Sequence, residues 1–246
     1  MTAILALEEV KVHFGGVKAV DGVSLSLRQG ALHALVGPNG SGKTTAVNLM
    51  SRLVDPTAGR VLFDGTDVTR VPRHRLYRRG LARTFQGIRL LDDLTVRENV
   101  LAGLDALDLP DARKASQRRD RADAALARME ILDTAGLEPS ALPYGVQRRV
   151  EIARALAGDP RVLLLDEPVA GMSAGERRDI AEVLHRLKGD GLTMLLIEHD
   201  LQFVLGLADH LSVLNFGTLL ASGEPQTTAA LPAVREAFLG GEHVAA

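Results

Sequence analysis

Apolar and polar positions recur with two different periods along the chain, and the change of period marks its organisation. Near the N-terminus Leu7, Val10, Val12 and Phe14 are spaced for a half-buried strand, and Val23, Leu25 and Leu27 alternate with polar neighbours in another. Gly15 and Gly16 between them read as a turn. Residues 31–36 form a continuous, mostly apolar run, the pattern of a strand buried on both faces. A glycine-rich loop and a helical stretch from 43 to about 52 come next, then a turn at 56–59, a strand at 60–63 and a hairpin signal at Asp64-Gly65.

From about Gly87 to Ala157 the strand-like runs vanish. Residues 113–130, from Arg113 and Lys114 onward, are charged and Ala-rich with a thin apolar side of Leu126 and Met129, which predicts a helix. Strand patterns resume at 162–165 and 193–197, separated by a helix at 174–187, and a last pair at 211–214 and 218–221 flanks a turn at Phe216-Gly217. This alternation predicts an α/β chain with a largely parallel sheet, interrupted by a helical block.

The 246 residues fit one such domain carrying an insertion, with about 1–86 and 158–246 as its core and about 87–157 as the helical part. With no Cys, a disulfide scaffold, a Cys-ligated metal centre and thiol catalysis are all excluded. A net charge of −2 provides no global basic field for nucleic acid, and 3% aromatics leave little for a base-stacking platform. No apolar stretch approaches the ~18–20 residues of a membrane-spanning helix. The first residues turn acidic at Glu8 and Glu9 without a basic start or a cleavage site, so no secretory signal is expected. The chain itself is therefore expected to be soluble, with docking on a membrane protein still allowed.

Gly37-Pro38-Asn39-Gly40-Ser41-Gly42-Lys43-Thr44 fits G-x-x-x-x-G-K-[ST], follows a buried strand and opens a helix. Glycines let backbone N–H groups curl around a phosphate chain, and the helix start adds positive potential. Lys43 is expected on the β- and γ-phosphates and the Thr44 hydroxyl on Mg²⁺. The run 162–165 ends in Asp166 and Glu167. A carboxylate at a neighbouring strand tip suits Mg²⁺, which assigns Asp166 to the metal, and Glu167 is placed to polarise an attacking water. Arg148 and Arg149, and the basic run 73–79, read as solvated helix faces.

Asp166-Glu167-Pro168, with His199 closing another apolar strand 32 positions after Glu167 (199 − 167), resembles the nucleotide-binding domain of ABC transporters. The runs 82–90, Tyr144-Gly145, 148–153, 197–200 and 237–240 are most similar to the ATP-binding subunits of branched-chain amino-acid importers. The resemblance implies a P-loop NTPase core with a mostly parallel sheet, an antiparallel β subdomain at the N-terminus and an inserted helical subdomain. It implies Phe14 against adenine and residues 37–45, Thr45 included, around ATP. Gln86 is implied on the Mg²⁺ and water side and His199 on the γ-phosphate. Pro143, Tyr144, Gly145, Val146 and Gln147 stand at the signature segment, which reaches a nucleotide across a dimer. ATP and Mg²⁺ are the implied cofactors. The implied partners are a second ATP-binding subunit, the same or different, two membrane permeases and an extracytoplasmic solute-binding protein, which places the chain at the cytoplasmic face of the inner membrane. Nucleic acid is not among them.

The chain departs from the family pattern at three places. Pro143 replaces the usual signature Ser and removes its hydroxyl, Val146 replaces the Gln, and Ser173 stands where Asp is usual after the strand tip. Two alternatives stay open: the ATPase of a related lipid or lipopolysaccharide exporter, and an ATP-gated module with weak turnover.

Overall fold

The computed structural model describes residues 3–105 and 115–239. Two strands of twelve residues open it, β1 (Ala3–Phe14) and β2 (Val17–Arg28), longer than their patterns suggested. In β1 the buried Leu5 and Leu7 occupy odd positions, but Val10 and Val12 even ones. A bulge resolves the conflict: the register with β2 slips between Leu7 and Val10, and Glu9 adopts a φ of 47°. One extra residue returns all four side chains to the same buried face.

β3 (Leu32–Val36) and α1 (Lys43–Met50) bracket the glycine-rich loop. β4 (Ala58–Phe63) and β5 (Thr66–Asp67) turn through Asp64 and Gly65, both at positive φ, and complete an antiparallel sheet of order β2-β1-β4-β5. α2 (Arg73–Arg78) and β6 (Leu81–Arg83) lead to the helical block of α3 (Val96–Asp105), α4 (Ala115–Arg128) and α5 (Tyr144–Leu156). Arg113 and Lys114, expected at the start of α4, lie outside the described residues, as does Gly240. Strand and helix then alternate through β7 (Val162–Asp166), α6 (Ala174–Gly189), β8 (Thr193–Ile197), α7 (Leu201–Leu205), β9 (His210–Asn215), β10 (Thr218–Gly223), α8 (Pro225–Ala229) and α9 (Pro232–Leu239).

The second sheet has the order β10-β9-β3-β8-β7-β6, parallel except for β10 at its edge. Its central strands β3, β7 and β8 are buried at every position because both of their faces are covered. Leu35, Leu164 and Ile197 face β1, β2, β4 and α1; Ala34, Leu165 and Leu196 face the helices α3 to α6. One sheet thus belongs to two cores, and the helical block shares its core with the sheet. At about 25 cal/mol per Å² of buried apolar area, these two interfaces dominate folding. All five parallel strands run the same way, so the tips of β3, β7 and β8 open on one edge. β8 lies between β3 and β7, so Asp166 is one strand farther from the loop than a neighbouring tip: the crossover from β7 returns beside β3.

Candidate active site

Between β3 and α1 the chain turns through Gly37, Gly40 and Gly42, all at positive φ. Two of them have no room for a side chain. A Cβ on Gly37 would lie 2.2 Å from the Leu214 carbonyl oxygen, and one on Gly42, at φ 101°, 2.5 Å from that of Ala19. The loop is therefore held against β9 and the start of β2, and Gly217 N–H donates to the Ser41 carbonyl at 3.0 Å. Lys43 folds back into this loop. Its buried ammonium donates to the carbonyls of Gly37 at 2.7 Å and Pro38 at 2.9 Å. Burial lowers the Lys43 pKa, against the pull of Glu167 and Asp166. The Ser41 hydroxyl is buried without a hydrogen-bond partner.

Asp166 and Glu167 close β7. Asp166 is buried and its Oδ2 accepts from Arg83 Nη2 at 2.8 Å. Arg83 in turn donates Nη1 to Asn48 Oδ1 at 2.6 Å and Ser51 Oγ at 3.0 Å, so the carboxylate is braced against α1. Glu167 has a φ of 47°, its N–H donates to the Ile197 carbonyl at 3.0 Å, and its Oε2 accepts from Gln86 Nε2 at 3.0 Å. The expected base and the expected water-positioning amide thus meet across 81 positions of sequence. His199 follows β8 with its side chain 58% exposed, and Nδ1 stands 3.8 Å from Glu198 Oε2. Gly37, Pro38, Asn39, Gly40, Ser41 and His199 line one open cavity of about 1010 Å³, together with Phe216 and the α9 residues Ala233 and Phe238.

These residues fit a nucleotide. An orphaned buried hydroxyl, an ammonium satisfied only by loop carbonyls and glycines that admit no Cβ form a cradle of donors shaped for an anion. They also fit a Mg²⁺ held jointly with it. Thr44 is exposed at the start of α1, and Asp166 has one oxygen engaged by Arg83. Among the described residues no group of three or more His, Cys, Asp or Glu is arranged to hold a metal unaided, so phosphate and water oxygens would complete the shell.

Other expected residues lie apart. Phe14, 55% exposed, ends β1 opposite Val17 and does not line the cavity; Thr45 is partly buried in α1. Pro143 is the N-cap of α5, with Tyr144 exposed on the first turn. Pro143, Gly145 and Val146 line a different cleft of about 320 Å³, where Gly145 N–H donates to Glu176 Oε1 at 3.3 Å. Gln147 Nε2 donates back to the Leu142 carbonyl at 3.0 Å. Ser173 is the N-cap of α6, in a reciprocal capping box with Glu176, the job that the Asp usual at this place can equally do.

One expectation is overturned. Arg148 does not face solvent: it is 0% exposed and bonded to the carbonyls of Phe85 and Gln86. Arg149 is also largely covered, paired with Asp179 at 3.3 Å. The basic run holds better, for Arg73, Arg75, Arg78 and Arg79 are exposed around the buried Leu76. Sequence reasoning missed Arg83, Glu198 and Phe216. Arg83 and Glu198 stand beside residues it chose, in the runs 82–90 and 197–200. Phe216, 86% exposed in a turn, carries no local signal.

A glycine-cradled loop between a central parallel strand and a helix, with an acidic strand tip and an amide–carboxylate pair on the same edge, defines a P-loop nucleoside triphosphatase. The ABC transporter family matches residues 20–170, more than half of the chain. The chain belongs to the ABC transporter family. It is 39% identical over 249 residues, 96% of this chain and 98% of the relative, to the high-affinity branched-chain amino acid transport ATP-binding protein LivG of Salmonella typhimurium. The solved ADP conformation of MJ1267, an ATP-binding cassette of an ABC transporter, superposes with a TM-score of 0.90 at 34% identity, covering 98% of this chain and all of that one. The dimeric structure of MJ0796, a bacterial ABC transporter cassette, matches with a TM-score of 0.79 at 28% identity, covering 90% of this chain and 98% of that one. As a cassette of this family the chain binds nucleotide and is an ATPase that energises transport. Among the described residues no helix is long and apolar enough to cross a membrane.

Proposed function

We propose that this chain is an ATP-hydrolysing subunit of an importer for branched-chain amino acids, working as one of two paired cassettes at the cytoplasmic face of the inner membrane. The observation that carries the catalytic reading is the Gln86–Glu167 hydrogen bond of 3.0 Å on the edge where the phosphate loop opens. The solute class rests on the likeness to LivG. Two permeases and an extracytoplasmic solute-binding protein complete the assembly.

In this reading residues 37–45 wrap the triphosphate, and Lys43 exchanges the Gly37 and Pro38 carbonyls for β- and γ-phosphate oxygens. Phe14 covers the adenine. Thr44, Gln86 and Asp166 would hold Mg²⁺, which when bound would neutralise negative charge on the phosphate chain. Glu167 takes the proton of the attacking water, Gln86 orients that water and His199 contacts the γ-phosphate. Residues 143–147 of a second cassette close over the nucleotide; without the usual Ser, the backbone N–H of Gly145 and the α5 N-terminus supply that contact. The helical block, about 87–157, passes the motion to a permease.

Glu167→Gln tests the assignment of the base. ATP binding stays intact, while phosphate release falls at least ~100-fold, the usual worth of a general base. An E167Q protein that turns over at the wild-type rate removes Glu167 from the mechanism. Phosphate-release assays with the cognate cassette and permeases also decide between transport ATPase and ATP-gated binding module.

A further inference from the structure

Arg148 is a guanidinium in a core, and the mechanism above does not use it. Nη1 donates to the Phe85 carbonyl at 2.7 Å and to Glu151 Oε2 at 2.6 Å; Nη2 donates to the Gln86 carbonyl at 2.6 Å and reaches the Tyr144 hydroxyl at 3.4 Å. Glu151 is buried as well, and burial pushes its carboxyl upward against the pull of Arg148. Six residues after Arg148 on the same helix, Arg154 Nη1 donates to the Arg89 carbonyl at 2.6 Å. The guanidinium groups of Arg83 and Arg89 lie 5.2 Å and 4.7 Å from the centre of the Phe85 ring.

Packing alone gives no reason for this arrangement. A buried ion pair is commonly matched in stability by an apolar residue of similar volume. A planar guanidinium, by contrast, can hold several acceptors in fixed directions, which neither an apolar side chain nor a lysine does. Two of the acceptors are consecutive backbone carbonyls, those of Phe85 and Gln86. The side chain of Gln86 is the one that donates to Glu167. At its other end α5 begins with Tyr144 and Gly145, in the segment expected to face a partner's nucleotide. Arg148 therefore stands between the two functional edges of one chain, bonded to the backbone of one and rooted in the helix of the other.

We infer that Arg148 is a positioning residue for hydrolysis: it fixes the Gln86 backbone so that its amide meets Glu167, and it ties that placement to the signature end of α5. The two edges that one chain contributes to two composite nucleotide sites then move together. This rests on the reading of Gln86 and Glu167 given above.

The test compares wild type, Arg148→Lys, Glu151→Gln, Gln86→Ala and R148K/Q86A as full chains assembled with the cognate cassette and permeases. Thermal melting shows which variants fold, nucleotide titration gives Kd, and phosphate release gives kcat and KM. R148K keeps the charge but loses the fork. Its kcat is expected to fall ~10-fold or more with KM and Kd within ~3-fold, because only the placement of Gln86 changes. In the Q86A background the same substitution is expected to cost less than ~3-fold, since residues acting through one another are not additive. Where R148K does not fold, E151Q, which keeps an acceptor but removes the counter-charge, is expected to show the same split. A folded R148K or E151Q with wild-type kcat while Q86A is slow overturns the role of Arg148 and leaves the Gln86 reading standing. So does full additivity with Q86A. Equal rates for wild type and Q86A overturn both.

Discussion

Glu198 stands between His199 and the loop that follows Glu167. It is fully buried, its Oε1 accepts from Val169 N–H at 3.2 Å, and its Oε2 has no hydrogen-bond partner. Burial, assisted by the carboxylates of Glu167 and Asp200, pushes its pKa from an ordinary 4.5 up to about 7. Between pH values of about 4.5 and about 7 the folded state therefore keeps a proton that the unfolded chain has already released. The stability this contributes is fully present below the unfolded pKa and is lost as pH rises through about 7. A shift of that size is worth ~3 kcal/mol. Glu198→Gln keeps the acceptor for Val169 and removes the charge. Urea denaturation is expected to show E198Q more stable than wild type by ~2–3 kcal/mol at pH 8 and level with it near pH 4.5. Parallel pH profiles for the two proteins would show that Glu198 carries no burial cost.

At the scale of elements, helix starts do much of the positioning. The Ser173 hydroxyl accepts from Glu176 N–H at 3.3 Å while Glu176 Oε2 accepts from Ser173 N–H at 2.9 Å, and the other oxygen of Glu176 reaches Gly145 at the start of α5. One capping box thus links the beginnings of two helices. Ser173→Ala is expected to lower stability by ~1 kcal/mol, and Ser173→Asp to restore most of it, because both Ser and Asp cap well. Denaturant titration of the three proteins measures this, and equal stability of S173A and wild type would remove the cap from the account. The Ser that departs from the family pattern is thereby compatible with an intact α6. Pro143 behaves alike: it costs the signature a hydroxyl, yet at an N-cap its missing N–H interrupts no helical bond.

For the whole molecule the decisive fact is that the two functional edges are separate. Gly37 to Ser41 and His199 line one cavity; Pro143, Gly145 and Val146 line another that shares no residue with it. One chain does not close its own signature segment over its own phosphate loop in this arrangement. Nucleotide-dependent pairing is the expected consequence under the proposed function. E167Q with Mg-ATP and the cognate cassette is expected to sediment as a dimer, and Lys43→Ala as separate chains, because the ammonium proposed to reach the β- and γ-phosphates is gone. Sedimentation of both proteins as monomers with ATP present would contradict the composite-site reading.

How much of this was legible in the sequence depends on how local the cause is. A phosphate loop is set by eight consecutive residues, and an unbroken apolar run such as 162–165 already states that both faces of a strand will be covered. The bulge in β1 was legible only as a spacing that failed to alternate. That β8 inserts between β3 and β7 follows from the packing of whole crossovers, which no short window contains. Burial of Arg148 was illegible for a sharper reason. A guanidinium is solvated unless acceptors replace its water; Glu151 is three positions away, but the two carbonyls that complete the set, at Phe85 and Gln86, lie 63 and 62 positions away. The same holds for Arg83, whose carboxylate partner is 83 positions distant. Sequence by itself determined the phosphate loop, the strand tips and the class of fold, since these arise from residue types at fixed short spacing. Only the tertiary structure decided which charges are buried and what they hold, because desolvation is set by neighbours the chain brings from afar.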